Sequence, residues 1–473
     1  MCAWLAPMAL SKTVDLDALS DQERSIADSY GARFRGDPVP RYELPADGMP
    51  ARATYQAVYD ELALDGNPML NLATFVTTWM EPEADQLMAV TVNKNSIDQD
   101  EYPQTVEIQN RCVNIIARLF NAPATTASVG TATVGSSEAI HLAGLALKWR
   151  WRKAREAAGK DATIPNLVMS ASVQVCWEKF ARYFDVEPRF VPNTTKRHII
   201  DPAEAASLVD ENTIGVVGIL GSTYTGEFEP IADLARALDG VQEQAGHDVP
   251  IHVDAASGGF VAPFTQPELE WDFRIERVAS INASGHKFGL VYPGIGWGVW
   301  RDEAVLPDEL IFHTNYLGGD EPTFDLNFSR GGGQIIAQYY NFLRLGRAGY
   351  TAVMERLLDT TRYLANLARA SERLEVLSTD DALPLVCFRL SGEQPYDAFD
   401  VSHVLRERGW IVPAYTLAPN ADDITVLRVV VKESLTRDLA DLLVADVERA
   451  HDRLEPGNAA PERRRGRGKH GVC

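Results

Sequence analysis

The sequence predicts an α/β protein, with a mostly parallel sheet in a large domain and a small α+β C-terminal domain after it. Between about Asn71 and Gly346, short apolar runs such as "PNLVMS", "TIGVVGIL" and "PIHVD" alternate with helical patterning. Near-continuous apolar runs separated by helices are the mark of parallel strands buried on both faces. After Gly349 the pattern changes to a helix over 354–374, "LEVLS", "LPLVCFRL", a helix through "SHVLRERG", then "WIVPAYTL", "ITVLRVVV" and a last helix. That alternation suits a compact α+β unit. The length of 473 residues exceeds one small domain, while 45% hydrophobic and 23% charged residues are ordinary for a globular chain.

The expected divisions are an N-terminal arm with helices over 1–69, a large domain over 70–350, a small domain over 351–456 and a disordered basic tail over 457–473. Residues 13–30 carry a loose amphipathic pattern that predicts a short helix. The segment 36–50 is rich in Pro and Gly and reads as a linker, and helical patterning resumes at "ARATYQAVYDELAL".

A net charge of −21 argues against nucleic-acid binding or docking on anionic lipid. The five cysteines are scattered and show no CxxC spacing, so they read as reduced thiols of a cytoplasmic protein and not as a metal site. There is no run of about 18 apolar residues to span a membrane. The opening "MCAWLAPMAL" lacks the positive n-region of a signal peptide.

The segment "INASGHKFGLVYPGIGWGVW" holds one Lys and one His, adjacent, among apolar residues and glycines. An unpaired buried ammonium is costly, so Lys287 is deprotonated, paired or covalently used, unless it snorkels to the surface. Asp254 ends the apolar run "PIHVD" and is followed by small residues, where a strand end opens onto a ligand crevice. Asp is also a common turn and cap residue. Ser136 and Ser137 precede a helical stretch, which makes either a plain N-cap or a phosphate cradle of free N–H groups and hydroxyls. Taken together, a phosphate cradle, an acid at a strand end and an isolated lysine are what a pyridoxal 5'-phosphate (PLP) site requires.

Here the chain resembles the PLP-dependent glutamate decarboxylases of the bacterial and plant type. The stretches that carry the resemblance are "NLATFVTTWM", "NKNSIDQDEYPQ", "VGTATVGSSEA", "VQVCWEKFARYFDVE", "TYTGEFE", "HVDAASGGF", "SGHKFGLVYPGIGW" and "YLGGDEPTFDLNFSR", in that order. The resemblance implies the PLP-dependent transferase fold of type I. It makes Lys287 the Schiff-base lysine and Asp254 the partner of the pyridinium nitrogen. Ala256 packs on one ring face and Gln174 covers the other, where many related decarboxylases have a His. Thr223 lines the cofactor, and Ser136, Ser137, Ser284 and His286 hold its phosphate. Ser329 contacts the phosphate in the neighbouring subunit. Thr74 and Phe75 form the pocket for the distal carboxylate of the substrate, joined by Asp98 from the partner chain. Arg428 takes the substrate carboxylate from the small domain.

The implied reaction converts L-glutamate to 4-aminobutanoate (GABA) and carbon dioxide. Another amino-acid substrate, aspartate or aromatic, keeps the cofactor and changes the pocket of Thr74, Phe75 and Asp98. A non-catalytic scaffold of the same fold is the other reading. The resemblance also implies a homodimer at least, with a hexamer as the larger assembly. The tail is basic and includes His470; some bacterial relatives use a tail histidine to plug the site at neutral pH, but a solvated disordered tail is the preferred reading here. It lacks the Trp and Leu anchors of a calmodulin-binding helix, so calmodulin is not an expected partner.

Overall fold

The computed structural model describes residues 41–123, 128–314 and 321–455. The helix expected over 13–30 and the tail over 457–473 lie outside the described residues. The chain divides into two compact units, one ending at Asn67 and one beginning at Pro68. In the first, helix α1 (Ala51–Leu62) follows Pro50.

The second unit opens with α2 (Pro82–Thr91) and α3 (Pro103–Leu119), each begun by a proline whose missing N–H costs nothing in the first turn. Strand β1 (Val129–Thr133) leads into α4 (Ser136–Ala157), followed by β2 (Asn166–Ser170), α5 (Val175–Tyr183), β3 (Glu187–Val191), α6 (Pro202–Ser207), β4 (Thr213–Ile219), α7 (Ile231–Ala245) and β5 (Ile251–Asp254). A one-turn helix α8 (Ala262–Thr265), β6 (Val278–Ala283) and β7 (Gly296–Trp300) follow. The seven strands lie in the order β1-β7-β6-β5-β4-β2-β3. Strand β7 runs against the direction shared by the other six. Every residue of β2, β4, β5, β6 and β7 is buried, as expected of a sheet covered on both faces.

Strands β8 (Phe312–Thr314) and β9 (Glu321–Thr323) form a small ribbon. Helix α9 (Gly333–Ala370) then crosses the expected division at 350, and its one non-helical residue is Gly346, at φ +57°. Only glycine adopts that conformation without strain, so the long helix is two helices joined at a glycine. The remaining strands, β10 (Leu374–Val376), β11 (Leu385–Leu390), β12 (Ala414–Thr416) and β13 (Thr425–Val430), make an antiparallel sheet in the order β10-β11-β13-β12. Helices α10 (Ala398–Arg406) and α11 (Arg437–Leu454) complete this small α+β region. The segment just after Pro68 ties the two sheets together. Leu72 donates to the carbonyl of Ile411 and accepts from Val430 N, and Thr77 N donates to the carbonyl of His286. No helix among the described residues is long and apolar enough to cross a membrane.

Candidate active site

Strands β1, β2, β4, β5 and β6 point the same way, so their C-terminal ends share one edge of the sheet. A cavity of about 590 Å³ opens there, lined by the residues that follow those ends, by the start of α4, and by Ala73 to Val76. Of the residues singled out in the sequence, Thr74, Phe75, Ser136, Ser137, Gln174, Thr223, Asp254, Ala256, Ser284, His286 and Lys287 all line it.

Lys287 follows β6 on a short turn. Its ammonium donates to Ser257 Oγ at 3.0 Å and stands 5.2 Å from the centre of the Phe75 ring. Thr77 Oγ1 donates to the Lys287 carbonyl at 2.7 Å, which fixes the turn against the segment that follows Pro68. Burial pushes the ammonium down and nearby Arg428 adds to this, while Asp254 and Cys176 act in the opposite direction. Cys176 also lines the cavity, where burial and Asp254 push its thiol up to about 12, against the activation that a nucleophilic thiolate needs.

Asp254 is the last residue of β5, and three donors meet its two carboxylate oxygens. Trp177 Nε1 lies 2.9 Å from Oδ2, Asn282 Nδ2 lies 3.0 Å from Oδ1, and Ala256 N lies 3.2 Å from Oδ1. The carboxylate is therefore held by hydrogen bonds and paired with no arginine.

The cradle at the start of α4 is equally specific. The amides of Ser136 and Ser137 open a helix of 22 residues, where no preceding turn can satisfy them. Ser136 Oγ and Ser284 Oγ are 2.7 Å apart. Glu138 turns back to accept from Val134 N at 2.8 Å and holds the loop shut. A Cβ on Gly296 of β7 would come within 2.5 Å of the Gly135 carbonyl carbon, so only glycine lets the strand approach the cradle this closely. His286 stands over the cradle, and burial together with Lys287 pushes its imidazole down to about 4. Gln174 lines the cavity and also caps α5, its Oε1 accepting from Cys176 N at 2.7 Å. This set fits PLP: a lysine for the aldehyde, an acid at a strand end for the ring nitrogen, small Ala256 and flat Gln174 for the two faces, and N–H groups with hydroxyls for the phosphate. Among the described residues no group of three His, Cys, Asp or Glu could hold a metal ion.

Arg428 of β13 is only 3% exposed and stands behind the cavity wall. Its guanidinium donates to the carbonyls of Thr223 and Ala73 at 2.6 and 2.7 Å, and lies 4.7 Å from the centre of the Phe75 ring. Its Nε has no partner. Asp98 and Ser329 do not line this cavity. They are clasped together elsewhere on the chain by Asn95, whose Nδ2 lies 3.1 Å from Asp98 Oδ1 and 3.4 Å from Ser329 Oγ.

Sequence reasoning missed Ser257, Trp177, Asn282 and Asn95. The signal for Asn282 is present: in "VASINASG" the polar residues Ser280, Asn282 and Ser284 alternate along a strand otherwise apolar. A two-residue period puts them on one face of the sheet. Trp177 is fully buried, and its indole N–H needs an acceptor there, but nothing in the sequence names Asp254 as that acceptor.

A sequence profile of the family described as the pyridoxal-dependent decarboxylase conserved domain matches residues 42–391. Glutamate decarboxylase 1 of Arabidopsis thaliana is 54% identical over 440 residues, 93% of this chain and 88% of that protein. Glutamate decarboxylase of Aliivibrio fischeri is 48% identical over 426 residues, 89% of this chain and 92% of that protein. In three dimensions, the glutamate decarboxylase of Lactobacillus brevis superposes with a TM-score of 0.87 at 43% identity, covering 93% of this chain and 98% of that one. With the cradle, the lysine and the strand-end acid meeting in one cavity, the chain belongs to the pyridoxal-dependent decarboxylases.

Proposed function

We propose that the protein is a PLP-dependent glutamate decarboxylase, converting L-glutamate to 4-aminobutanoate and carbon dioxide. The observation that carries this reading is Lys287 and Asp254 in one cavity with a serine-lined phosphate cradle and a substrate-side segment at Thr74 and Phe75. The similarity to plant and bacterial glutamate decarboxylases supports this substrate over aspartate or an aromatic amino acid. PLP, when bound, draws the electrons released at the α-carbon into its ring.

The residues divide the remaining work. Lys287 would hold the cofactor aldehyde, and its lowered ammonium makes the free amine accessible for that bond. Released and protonated by the incoming substrate's ammonium, the same Nζ would return a proton to the α-carbon. Asp254 would hold a proton on the ring nitrogen and so keep the ring an electron acceptor. Ser136, Ser137, Ser284 and His286 bind the phosphate, and Ala256 and Gln174 confine the ring. Thr74 and Phe75 receive the distal carboxylate. Arg428 sets this wall by holding the carbonyls of Ala73 and Thr223, and its guanidinium puts a positive charge behind the pocket for the substrate's carboxylate.

The clasp of Asp98, Asn95 and Ser329 has no partner in its own chain's cavity. We infer a homodimer at least, in which one subunit supplies Ser329 to the other's phosphate and Asp98 to the other's distal carboxylate. An exposed Ser329 supports this arrangement. The free thiols of Cys112, Cys176 and Cys387 fit a cytoplasmic protein.

Three outcomes are expected. Purified protein with PLP should release carbon dioxide from L-glutamate and leave aspartate and tryptophan nearly untouched, and Lys287→Ala should lower the rate by several orders of magnitude while staying folded. Comparable release from an aromatic amino acid would contradict the substrate, and near-normal turnover of the variant would contradict the lysine. In mixed assemblies, chains carrying Lys287→Ala and chains carrying Ser329→Ala should recover activity that neither has alone, whereas no recovery would argue against a shared site.

The third outcome concerns acid. His286 is ordinarily near 6.5 and is pushed to about 4 in the folded chain, so its stabilising contribution is complete above pH 6.5 and is lost as pH falls toward 4. The melting temperature of the cofactor-free protein should drop across that window, and His286→Asn should flatten part of the drop. Identical slopes in the two proteins would assign the acid loss to other groups.

A further inference from the structure

Strands β5 and β6 run parallel in a register that sets His252 beside Ser280 and Asp254 beside Asn282. All four side chains are buried. They form one continuous chain of hydrogen bonds that crosses back and forth between the strands. Ser280 Oγ lies 2.7 Å from His252 Nδ1, His252 Nε2 lies 2.8 Å from Asn282 Oδ1, and Asn282 Nδ2 lies 3.0 Å from Asp254 Oδ1.

The direction of every bond follows from its charged end. A carboxylate only accepts, so the amide nitrogen of Asn282 must face Asp254 and its oxygen must face His252. That oxygen needs a donor, so His252 carries its proton on Nε2. Nδ1 is then an acceptor, and the Ser280 hydroxyl donates to it. Burial pushes the imidazole well down, which agrees with a neutral ring. The ring also braces the second donor. It packs against the Trp177 indole with centroids 5.3 Å apart, and that indole donates to Asp254 Oδ2. The titratable groups that act on Asp254 besides His252 are Lys287 and Cys176 in the cavity, and Glu229, which is buried and bound by the amides of Ile200 and Ile219.

We propose that His252 is a positioning residue for the decarboxylation: it fixes both side-chain donors to Asp254 and thereby sets how firmly that carboxylate holds the proton on the cofactor's ring nitrogen. This rests on Asp254 as the partner of the ring. A phenylalanine at 252 fills the same space and offers no donor to Asn282, whose amide is then free to turn its oxygen toward the carboxylate. Glutamine keeps a donor near the Nε2 position.

The test uses holoenzyme loaded with PLP labelled with 15N in the ring, whose chemical shift reports the ring proton directly, together with steady-state kinetics. His252→Phe should move the shift toward the unprotonated position and lower kcat by about tenfold or more, with KM for glutamate within about twofold. His252→Gln should restore both readouts most of the way. Ser280→Ala, which deletes only the hydroxyl at the far end, should move the shift in the same direction by a smaller amount, and it decides the matter if the phenylalanine variant does not fold. Wild-type shifts and kcat in His252→Phe, or in Ser280→Ala where the former is unfolded, would overturn the proposal. Asp254→Asn separates this from the underlying reading: a ring nitrogen still protonated in that variant means that Asp254 is not the ring's partner, whatever His252 does.

Discussion

Parallel strands end together, and the site depends on that constraint. The carbonyl ends of β1, β2, β4, β5 and β6 meet at one edge of the sheet. Groups far apart in sequence, the serines after β1, the acid closing β5 and the lysine after β6, are thereby brought to one cavity without any of them leaving its own turn. Each is positioned by a rigid element, and each can carry a polar group because the strand end is where the buried sheet gives way to the crevice. Lys287 would be expensive anywhere deeper. At the edge its ammonium has a hydroxyl partner, a carboxylate nearby and an open cavity ahead.

The electrostatics of the cavity follow from the scarcity of direct ion pairs. Asp254 is met by an indole, an amide and a backbone N–H, and Arg428 by two carbonyls. Neutral partners hold a charged group in place without cancelling its charge, so a ligand entering the cavity meets the full field of the acid on one side and of the cations on the other. A salt bridge between the two would have been tighter and inert. The arrangement suits a cofactor with a basic ring nitrogen at one end and a phosphate at the other, and a substrate bearing two carboxylates.

The α/β architecture was legible because strands covered on both faces need unbroken apolar runs, and "TIGVVGIL" and "PIHVD" became β4 and β5. The lysine, the acid and the cradle were legible as polar exceptions at the ends of such runs. Gly346 was not: the helix signal runs on both sides of it, and only the backbone reveals the break at positive φ. The donors to Asp254 were hidden for a different reason. Trp177 reads as core, and Asn282 becomes a contact of Asp254 only through the register of two strands, which no local pattern fixes. The clasp at Asn95 joins segments more than two hundred residues apart, which no local pattern reveals.

Everything in the proposed chemistry turns on Lys287 as the residue that holds the cofactor. Reducing the yellow holoenzyme with borohydride fixes PLP to whichever lysine bears it, and peptide mass mapping then locates the adduct. The expected result is loss of the visible band and a phosphopyridoxyl mass on the peptide that contains Lys287 alone. An adduct on any other lysine, or a visible band that survives reduction, would contradict it.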